Sequence, residues 1–121
     1  MIKDINKSKK TEYDLEERTF RFAKSVRDFL KLLPKNIINN EYTKQLIRSS
    51  GSVGANYIEA NESLGKKDFI MKLKISRKEV KESKYWLDLV ETNLEDERNV
   101  LIKEAKELLL IFSAIIRKLE N

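Results

Sequence analysis

Residues 48–60 read RSSGSVGANYIEA and contain two of the three glycines in the chain. Within this stretch small residues repeat at four-residue spacing, first as Ser50 and Gly54 and then as Gly51 and Ala55. Residues four apart lie on the same side of a helix, so the pattern predicts two flattened sides on which neighbouring backbones approach closely. Each glycine lowers helix propensity by up to about 1 kcal/mol relative to alanine, and close packing must return that energy. The stretch therefore predicts the tightly packed spine of a helical bundle.

A phosphate-binding loop is the main alternative for this stretch, and the flanking sequence argues against it. Such a loop lies between a strand and a helix, whereas helical spacing continues from Leu46 to Ala60. The later segment ANESLGKK, residues 60–67, lacks the first glycine and the final Ser or Thr of a phosphate loop. The GXXG letters of residues 51–54 belong to a nucleic-acid-binding module that needs strands, which this sequence does not offer.

The rest of the chain divides into amphipathic helices with short connections. The predicted helices cover residues 14–33, 40–63, 68–93 and 96–119. Asp14 and Glu17 have capping-box spacing at the start of the first helix, and Pro34 cannot continue it. This arrangement predicts an all-α fold, an antiparallel up-down-up-down four-helix bundle formed by residues 14–121. Residues 1–13 show no period and are predicted to form a flexible basic arm.

The third and fourth predicted helices each carry a core stripe. The inward residues of the third helix are Phe69, Leu73, Ser76, Val80, Ser83, Leu87 and Val90. Those of the fourth helix are Leu101, Ala105, Leu108, Phe112, Ile115 and Leu119. The third helix therefore brings two serines to the predicted core.

The composition restricts the possible chemistry. The chain has 121 residues, which suits one domain, and it has no Cys and no His. Disulfides, thiol nucleophiles and the commonest general base and metal ligand are thus excluded, and neither enzymatic activity nor a cofactor is predicted. A net charge of +5 fits a nucleic-acid or acidic partner. No signal peptide or apolar run of about 20 residues occurs, so a cytoplasmic location is expected.

Charged residues in the second and third predicted helices suggest an ionic network. Arg48 and Glu59 share one side of the second helix, but their separation of eleven residues corresponds to about 16 Å, too far for a direct pair. Their partners must come from another helix, and Lys72, Glu79 and Glu82 of the third are available. A buried ionic network of this sort fixes helix register more than it adds stability. Two alternatives remain open: solvent exposure, or a ligand site, including a hydrolase site in which the three glutamates hold a divalent ion.

Basic residues gather on one face of the third helix and on one side of the first. They are Lys74, Arg77, Lys78, Lys81 and Lys84 in the third helix, and Arg21, Lys24, Arg27 and Lys31 in the first. The third-helix stripe is about 15 Å long, comparable with several phosphate steps of a nucleic-acid strand. No aromatic platform interleaves with the lysines, so backbone contacts without base stacking are expected. The alternative is that both stripes are solvated faces.

The third helix also has a second apolar edge. Met71, Ile75, Trp86 and Leu89 form this edge. In the first helix, Phe20 falls off the main apolar stripe, which consists of Leu15, Phe22, Val26, Phe29, Leu30 and Leu33. Two interpretations are open for these residues. A bundle helix can contact two neighbours within the chain, or the residues can form an interface between copies.

Four segments of the chain resemble a known family. RTFRFAKSVRDFLKLLP, KQLIRSSGSVGANYIEA, KKDFIMKLKISRKEVKESKYWL and the closing amphipathic helix are similar to four-helix-bundle proteins encoded within 23S ribosomal RNA intervening sequences. The similarity covers roughly residues 14–119. Gly65 departs from the family, which tends to have Ser at this helix cap; Gly is weaker there by a few tenths of a kcal/mol.

The resemblance implies an antiparallel four-helix bundle, commonly assembled as a ring-shaped homopentamer with a basic surface. Related bundles serve as accessory proteins of diversity-generating retroelements, where they bind nucleic acid and a reverse transcriptase. The leading hypothesis is therefore a non-enzymatic, oligomeric protein that binds ribosomal or intervening-sequence RNA through its basic faces. The alternative is a scaffold that binds a protein partner, for example a reverse transcriptase, through an apolar edge or a ring opening.

Overall fold

The computed structural model describes the backbone of residues 2–121 and the side chains of residues 15–121. Four helices make up this part of the chain: α1 (Ile2–Leu30), α2 (Ile37–Asn61), α3 (Lys66–Leu89) and α4 (Glu95–Glu120). Each helix packs against the next, and α4 packs back against α1. The predicted all-α four-helix bundle is confirmed, and no strand occurs within the described backbone. In this arrangement α1 lies diagonally opposite α3 across the core.

The start of α1 differs from the sequence prediction. The backbone is helical from Ile2 rather than from Asp14. Residues 2–13 contain neither Pro nor Gly, so nothing in this segment forces the helix to end. The predicted arm, residues 1–13, lies outside the described side chains, and its flexibility stays a prediction.

The start of α2 also lies earlier than expected, at Ile37 rather than at residue 40. The reason is a cap at Asn36, whose side chain accepts a hydrogen bond from the backbone N–H of Asn39 at 2.8 Å. Asparagine is among the strongest helix caps because its side-chain oxygen satisfies an N–H that has no partner within the helix. The link between α1 and α2 is thus the short segment 31–36, which contains Pro34.

The core lies between the four helices and agrees largely with the predicted stripes. Every predicted core residue of α3 is buried except Phe69, which is half-buried. In α4, Ile116 rather than Ile115 is fully buried, while Ile115 and Leu119 pack partly buried against the core. The 3.6-residue period lets the buried side of a long helix move by one residue over its length.

Serines line the contact between α2 and α3. The Ser83 hydroxyl donates to Ser49 Oγ at 2.9 Å, and the Ser76 hydroxyl donates to the backbone carbonyl of Val53 at 3.0 Å. All three serines are buried. Buried hydroxyls cost free energy unless they are hydrogen-bonded, and these are. Because serine is small, the two helices approach closely enough for a side chain of α3 to reach the backbone of α2.

The small residues of the stretch 48–60 do not all serve the same purpose. A Cβ atom on Gly54 would lie 2.9 Å from Thr19 Oγ1 in α1, whereas a Cβ atom on Gly51 would meet nothing within 4 Å. Ser50 is buried, but Gly51 and Ala55 are exposed. The expected close approach therefore exists on the Ser50 and Gly54 side, and the prediction is wrong for the Gly51 and Ala55 side. The structure leaves that second side open to solvent.

One buried asparagine joins the two loops at the end of the bundle where α2 begins. Asn39 Nδ2 lies 2.9 Å from the carbonyl oxygens of both Pro34 and Glu91 and donates to them. In return, Asn39 Oδ1 accepts a hydrogen bond from the Glu91 backbone N–H at 2.8 Å. The amide thus uses both of its N–H groups and its oxygen, so it is buried without an unsatisfied group. The Asn39 side chain thus holds the α1–α2 and α3–α4 loops together, and Asn36 Nδ2 adds a longer hydrogen bond to Glu91 Oε1 at 3.4 Å.

A candidate nucleic-acid interface

The exposed outer line of α3 carries three lysines. Lys74, Lys78 and Lys81 follow a four, three spacing and all three are exposed, so they form one row; we refer to them as the lysine ridge. Lys74 Nζ pairs with Glu120 Oε2 of α4 at 2.7 Å. Within the described side chains, Lys78 and Lys81 form no ion pair. The ridge therefore presents two uncompensated positive charges to solvent.

The other two basic residues predicted on α3 lie beside the ridge, on the side toward α4. Lys84 Nζ pairs with Asp88 Oδ2 at 3.0 Å, so its charge is balanced within the same helix. Arg77 is half-buried. Because Lys74 pairs with Glu120 and the helices are antiparallel, Arg117 of α4 lies level with Arg77. Arg117 is exposed and extends the positive surface toward α4, which the sequence analysis did not predict.

The basic residues of α1 form a separate surface. Arg21, Lys24, Arg27 and Lys31 are all exposed. Arg27 pairs with the neighbouring Asp28 at 3.1 Å, and Lys24 Nζ lies 5.3 Å from the centre of the Phe20 ring. Because α1 is diagonal to α3, these residues face away from the lysine ridge. Within a single bundle the α1 residues therefore do not extend the lysine ridge but form a second, separate basic face.

The structure brings the predicted ionic residues together across α2 and α3. Arg48 Nη2 lies 2.8 Å from Glu82 Oε1 and 3.4 Å from Glu79 Oε1. Lys72 Nζ lies 3.0 Å from Glu59 Oε1. The hydrogen bond to Glu59 raises the pKa of Lys72 above its usual value. Only Glu79 in this set is buried, so the network lies at the outer edge of the α2–α3 contact rather than inside it.

These contacts disagree with a metal-dependent site. Glu59 pairs with Lys72, while Glu79 and Glu82 share Arg48. Among the side chains that the structure describes, no three carboxylates come together in a way that could hold a metal ion. The hydrolase interpretation of these glutamates therefore has no geometric support.

A second ionic cluster, which the sequence analysis missed, joins α1 to α4. Arg18 Nε lies 2.7 Å from Glu104 Oε2, and Arg18 Nη2 lies 2.7 Å from Glu107 Oε1. The hydrogen bond with Glu104, followed by that with Glu107, raises the pKa of Arg18. The available signal was an arginine beside the α1 core stripe and two glutamates one helical turn apart beside the α4 stripe. Periodicity alone does not reveal that these edges meet.

The residues predicted to form an oligomer interface do not share one surface. Phe20 is 62% exposed but lies on α1, diagonally across from the others. Trp86 and Ile75 of α3 are half-buried, whereas Met71 and Leu89 are exposed. Trp86 packs against the core of its own chain, which is the intrachain interpretation left open above. The apolar edge of α3 is thus partly used within the bundle.

An exposed aromatic residue follows the lysine ridge. Tyr85 is 59% exposed and comes four residues after Lys81, on the same outer line of α3. Its ring packs edge-to-face against Trp86, with centroids 5.0 Å apart, and Trp86 lies 5.9 Å from the Tyr42 ring of α2. No aromatic residue interleaves with the lysines, as expected, but Tyr85 stands at the end of their row. The spacing of positions 74, 78, 81 and 85 places them on one side of the helix, but the sequence analysis did not continue the row from Lys81 to Tyr85.

In the described part of the chain, none of the helices combines the length and apolarity that crossing a lipid bilayer requires.

Comparisons with known proteins agree with this fold. A protein of unknown function from the S23 ribosomal protein family of Bacteroides thetaiotaomicron has a similar solved structure, with a TM-score of 0.75 and 27% sequence identity. The match covers 88% of this chain and 98% of that one. No curated protein matches the chain. A family model described as 23S rRNA-intervening sequence protein matches residues 11–119. The chain therefore belongs to the family of 23S rRNA-intervening sequence proteins.

Proposed function

We propose that this protein binds RNA through phosphate contacts made by the lysine ridge of α3. The observation that carries the proposal is the pair Lys78 and Lys81, which are exposed, adjacent along one row and free of ion pairs within the described side chains. Lysines of this kind attract phosphates and release the counterions that surround a nucleic acid. The description of the family in terms of 23S rRNA supports RNA as the partner.

The dimensions of the ridge fit a short run of phosphates. Lys74 and Lys81 are seven residues apart, about 10 Å along the axis of α3. A strand of B-form DNA carries one phosphate for about every 3.4 Å of its axis, and on that scale the ridge spans roughly three phosphates. Arg117 adds a positive charge on the side toward α4. Contacts of this type position RNA without reading its sequence.

A titration of RNA binding at several salt concentrations tests the proposal. Structured ribosomal RNA is titrated with the wild-type protein and with the double variant Lys78→Ala, Lys81→Ala. Removing two phosphate contacts is expected to make the slope of log affinity against log salt less steep by about 1.4 to 1.8. The matched control is Lys24→Ala, Lys31→Ala, which removes the same charge from the opposite side of the bundle and is expected to leave the slope unchanged.

Two results would contradict RNA binding by the ridge. The first is an absence of binding at low salt. The second is an equal loss in both double variants, which would indicate a general attraction to positive charge rather than a defined surface. Circular dichroism of each variant checks that the helices are intact.

Self-association is a second proposal, supported by two apolar patches with opposite charge at their edges. Phe20 and Ile58 line a cavity of about 430 Å³ together with Glu16 and Glu17, between α1 and α2. On the far side of the bundle, Met71 lies in a cavity of about 580 Å³ with several lysines. A contact between the acidic patch of one copy and the basic patch of the next is heterologous, and such contacts form rings when they close.

The ring-shaped homopentamer implied by the family resemblance is one closed form of this contact. Light scattering measures the mass in solution, and Phe20→Glu is expected to reduce that mass because it places a third carboxylate in an apolar patch. A wild-type protein that is monomeric throughout the accessible concentration range would contradict self-association. Of the lysine ridge, Lys74 lines the basic patch, whereas Lys78 and Lys81 do not, so self-association does not use the two lysines that carry the RNA proposal.

A further inference from the structure

The exposed row of α3 continues beyond its lysines to an aromatic ring. Tyr85 lies about 6 Å further along the helix axis than Lys81, which is close to one helical turn. Positions 74, 78, 81 and 85 follow a four, three, four spacing and point in nearly the same direction. The positive charges and the ring are therefore arranged one after the other along a single exposed line.

The Tyr85 ring is held in place and yet exposed. The Tyr85 ring packs edge-to-face against Trp86, with an interplanar angle of 70°. The Trp86 ring packs in turn against the Tyr42 ring of α2. The indole Nε1 of Trp86 is buried and has no hydrogen-bond partner in the described part of the chain, so the indole is oriented by packing alone. These contacts limit the positions of the Tyr85 ring and lower the entropy that a ligand must remove to stack on it. More than half of Tyr85 nevertheless remains open to solvent.

We propose that the surface formed by Lys78, Lys81 and Tyr85 binds single-stranded RNA, with phosphates on the two lysines and one unpaired base stacked on the Tyr85 ring. This inference rests on the RNA binding proposed above and narrows it to unpaired RNA. Bases in a duplex are stacked on one another and cannot cover a flat ring on a convex helix. An unpaired base can turn outward and stack on an aromatic side chain.

The charges around Tyr85 are compatible with an approaching phosphate. Asp88 is the nearest acidic residue along the helix in the direction away from the ridge, and Lys84 pairs with it at 3.0 Å. Glu82 lies on the side toward α2 and pairs with Arg48. Asp88 thus has a partner of its own and Glu82 shares Arg48 with Glu79, while Lys81 has no partner among the described residues. A protein partner with an apolar surface is disfavoured because it would have to bury two lysines without compensation.

Fluorescence anisotropy with two RNA probes tests this surface. The probes are a single-stranded oligonucleotide of about 12 nucleotides and the duplex that it forms with its complement. Tyr85→Ala is expected to weaken binding of the single strand about five-fold or more, because stacking contributes about that much per base. The slope against salt should not change, since no phosphate contact is lost. Tyr85→Phe keeps the ring and is expected to bind like the wild type.

Leu110→Ala is the control for removing a large exposed apolar side chain. Leu110 is 70% exposed and lies on α4, outside the lysine ridge and outside both apolar patches. The variant is expected to bind both probes like the wild type. The single tryptophan gives a second readout, because Trp86 contacts the Tyr85 ring. Its fluorescence is expected to change when the single strand binds and to change less with the duplex.

The outcomes distinguish base stacking on Tyr85 from the RNA binding by the lysine ridge on which it rests. If Tyr85→Ala binds the single strand like the wild type while Lys78→Ala, Lys81→Ala still flattens the salt dependence, the stacking inference is wrong and RNA binding stands. An equal loss for the single strand and the duplex also overturns stacking. Capture of a protein that depends on Tyr85, with RNA binding unaffected by the substitution, assigns the ring to a protein partner instead. If no RNA binds at low salt, both proposals fail together.

Discussion

Replacing Gly54 with alanine tests the close approach of α1 and α2. The added Cβ would lie 2.9 Å from Thr19 Oγ1 and 3.3 Å from Thr19 Cβ, and the first of these distances is too short for two such atoms. Thr19 is only 1% exposed, and its hydroxyl donates to the Glu16 carbonyl at 3.0 Å. Rotation of the Thr19 side chain away from the new atom would break that bond. Gly54→Ala therefore requires either the loss of this hydrogen bond or a shift of the two helices.

The expected magnitude is a balance of two effects. Overpacking of a buried contact costs about 1–3 kcal/mol, while alanine regains up to about 1 kcal/mol of helix propensity relative to glycine. Because both possible adjustments disturb a buried contact, we expect a cost in the upper part of the first range, so Gly54→Ala should lower the free energy of unfolding by about 1–2 kcal/mol. Gly51→Ala is the control in the same helix, since a Cβ there meets nothing within 4 Å. It should raise the free energy of unfolding by up to about 1 kcal/mol.

Urea and thermal unfolding, followed by circular dichroism, measure both effects. For a chain of this size, 1 kcal/mol corresponds to roughly 3–6 °C in the midpoint of thermal unfolding. A double-mutant cycle with Thr19→Ala then tests the cause, because removing the Thr19 hydroxyl and methyl leaves room for the new Cβ. In that background Gly54→Ala should cost about 1 kcal/mol less. If Gly54→Ala proves as stable as the wild type, or if Thr19→Ala does not change its effect, the close contact does not limit this position.

Three further substitutions test other contacts. Asn39→Asp places a carboxylate oxygen against two backbone carbonyls, so we expect the unfolding free energy to fall by about 3 kcal/mol. An unchanged urea midpoint would show that contacts other than those of Asn39 hold the loops together. Arg18→Leu should lower the unfolding free energy by about 1–2 kcal/mol, and this loss should be smaller at high salt. Arg27→Leu is the control and should have little effect, because its ion pair is exposed. Equal losses in the two variants would contradict a special role for Arg18. The pKa of Lys72 is raised in the folded state by Glu59, so its stabilisation is complete below the unfolded pKa of about 10.4 and is lost as the pH rises through the folded pKa. Lys72→Met should therefore make stability fall less steeply above about pH 10, and an unaltered alkaline profile would argue against the pair.

The helices and most of the core could be predicted because periodicity reports which side of each helix is apolar. The same spacing placed Arg48 and Glu59 on one side of α2 at a distance that required partners from another helix, and α3 supplies them. Periodicity does not report where a neighbouring helix crosses. Gly51 and Gly54 therefore look equivalent in the sequence, although only Gly54 meets another helix.

Other features depend on how the helices are arranged around the core. The basic stripes of α1 and α3 were both assigned to nucleic-acid binding, and the predicted up-down topology already places the first and third helices on opposite sides of the bundle. The Arg18 cluster requires α4 to return to α1, and its residues are 86 and 89 positions apart in the sequence. Asn39 is a single polar residue near a loop, and its role becomes visible only when the second loop lies beside it.

The link made by Asn39 has a consequence for how long the folded state lasts. It joins groups 52 residues apart, and it can form only after the α1–α2 and α3–α4 turns have come together. Contacts between consecutive helices close shorter segments and are expected to form earlier. An interaction that forms after the rate-limiting step changes the unfolding rate and leaves the folding rate nearly unaltered. In stopped-flow experiments, weakening this link should therefore shorten the lifetime of the native bundle while the chain continues to fold at its normal speed.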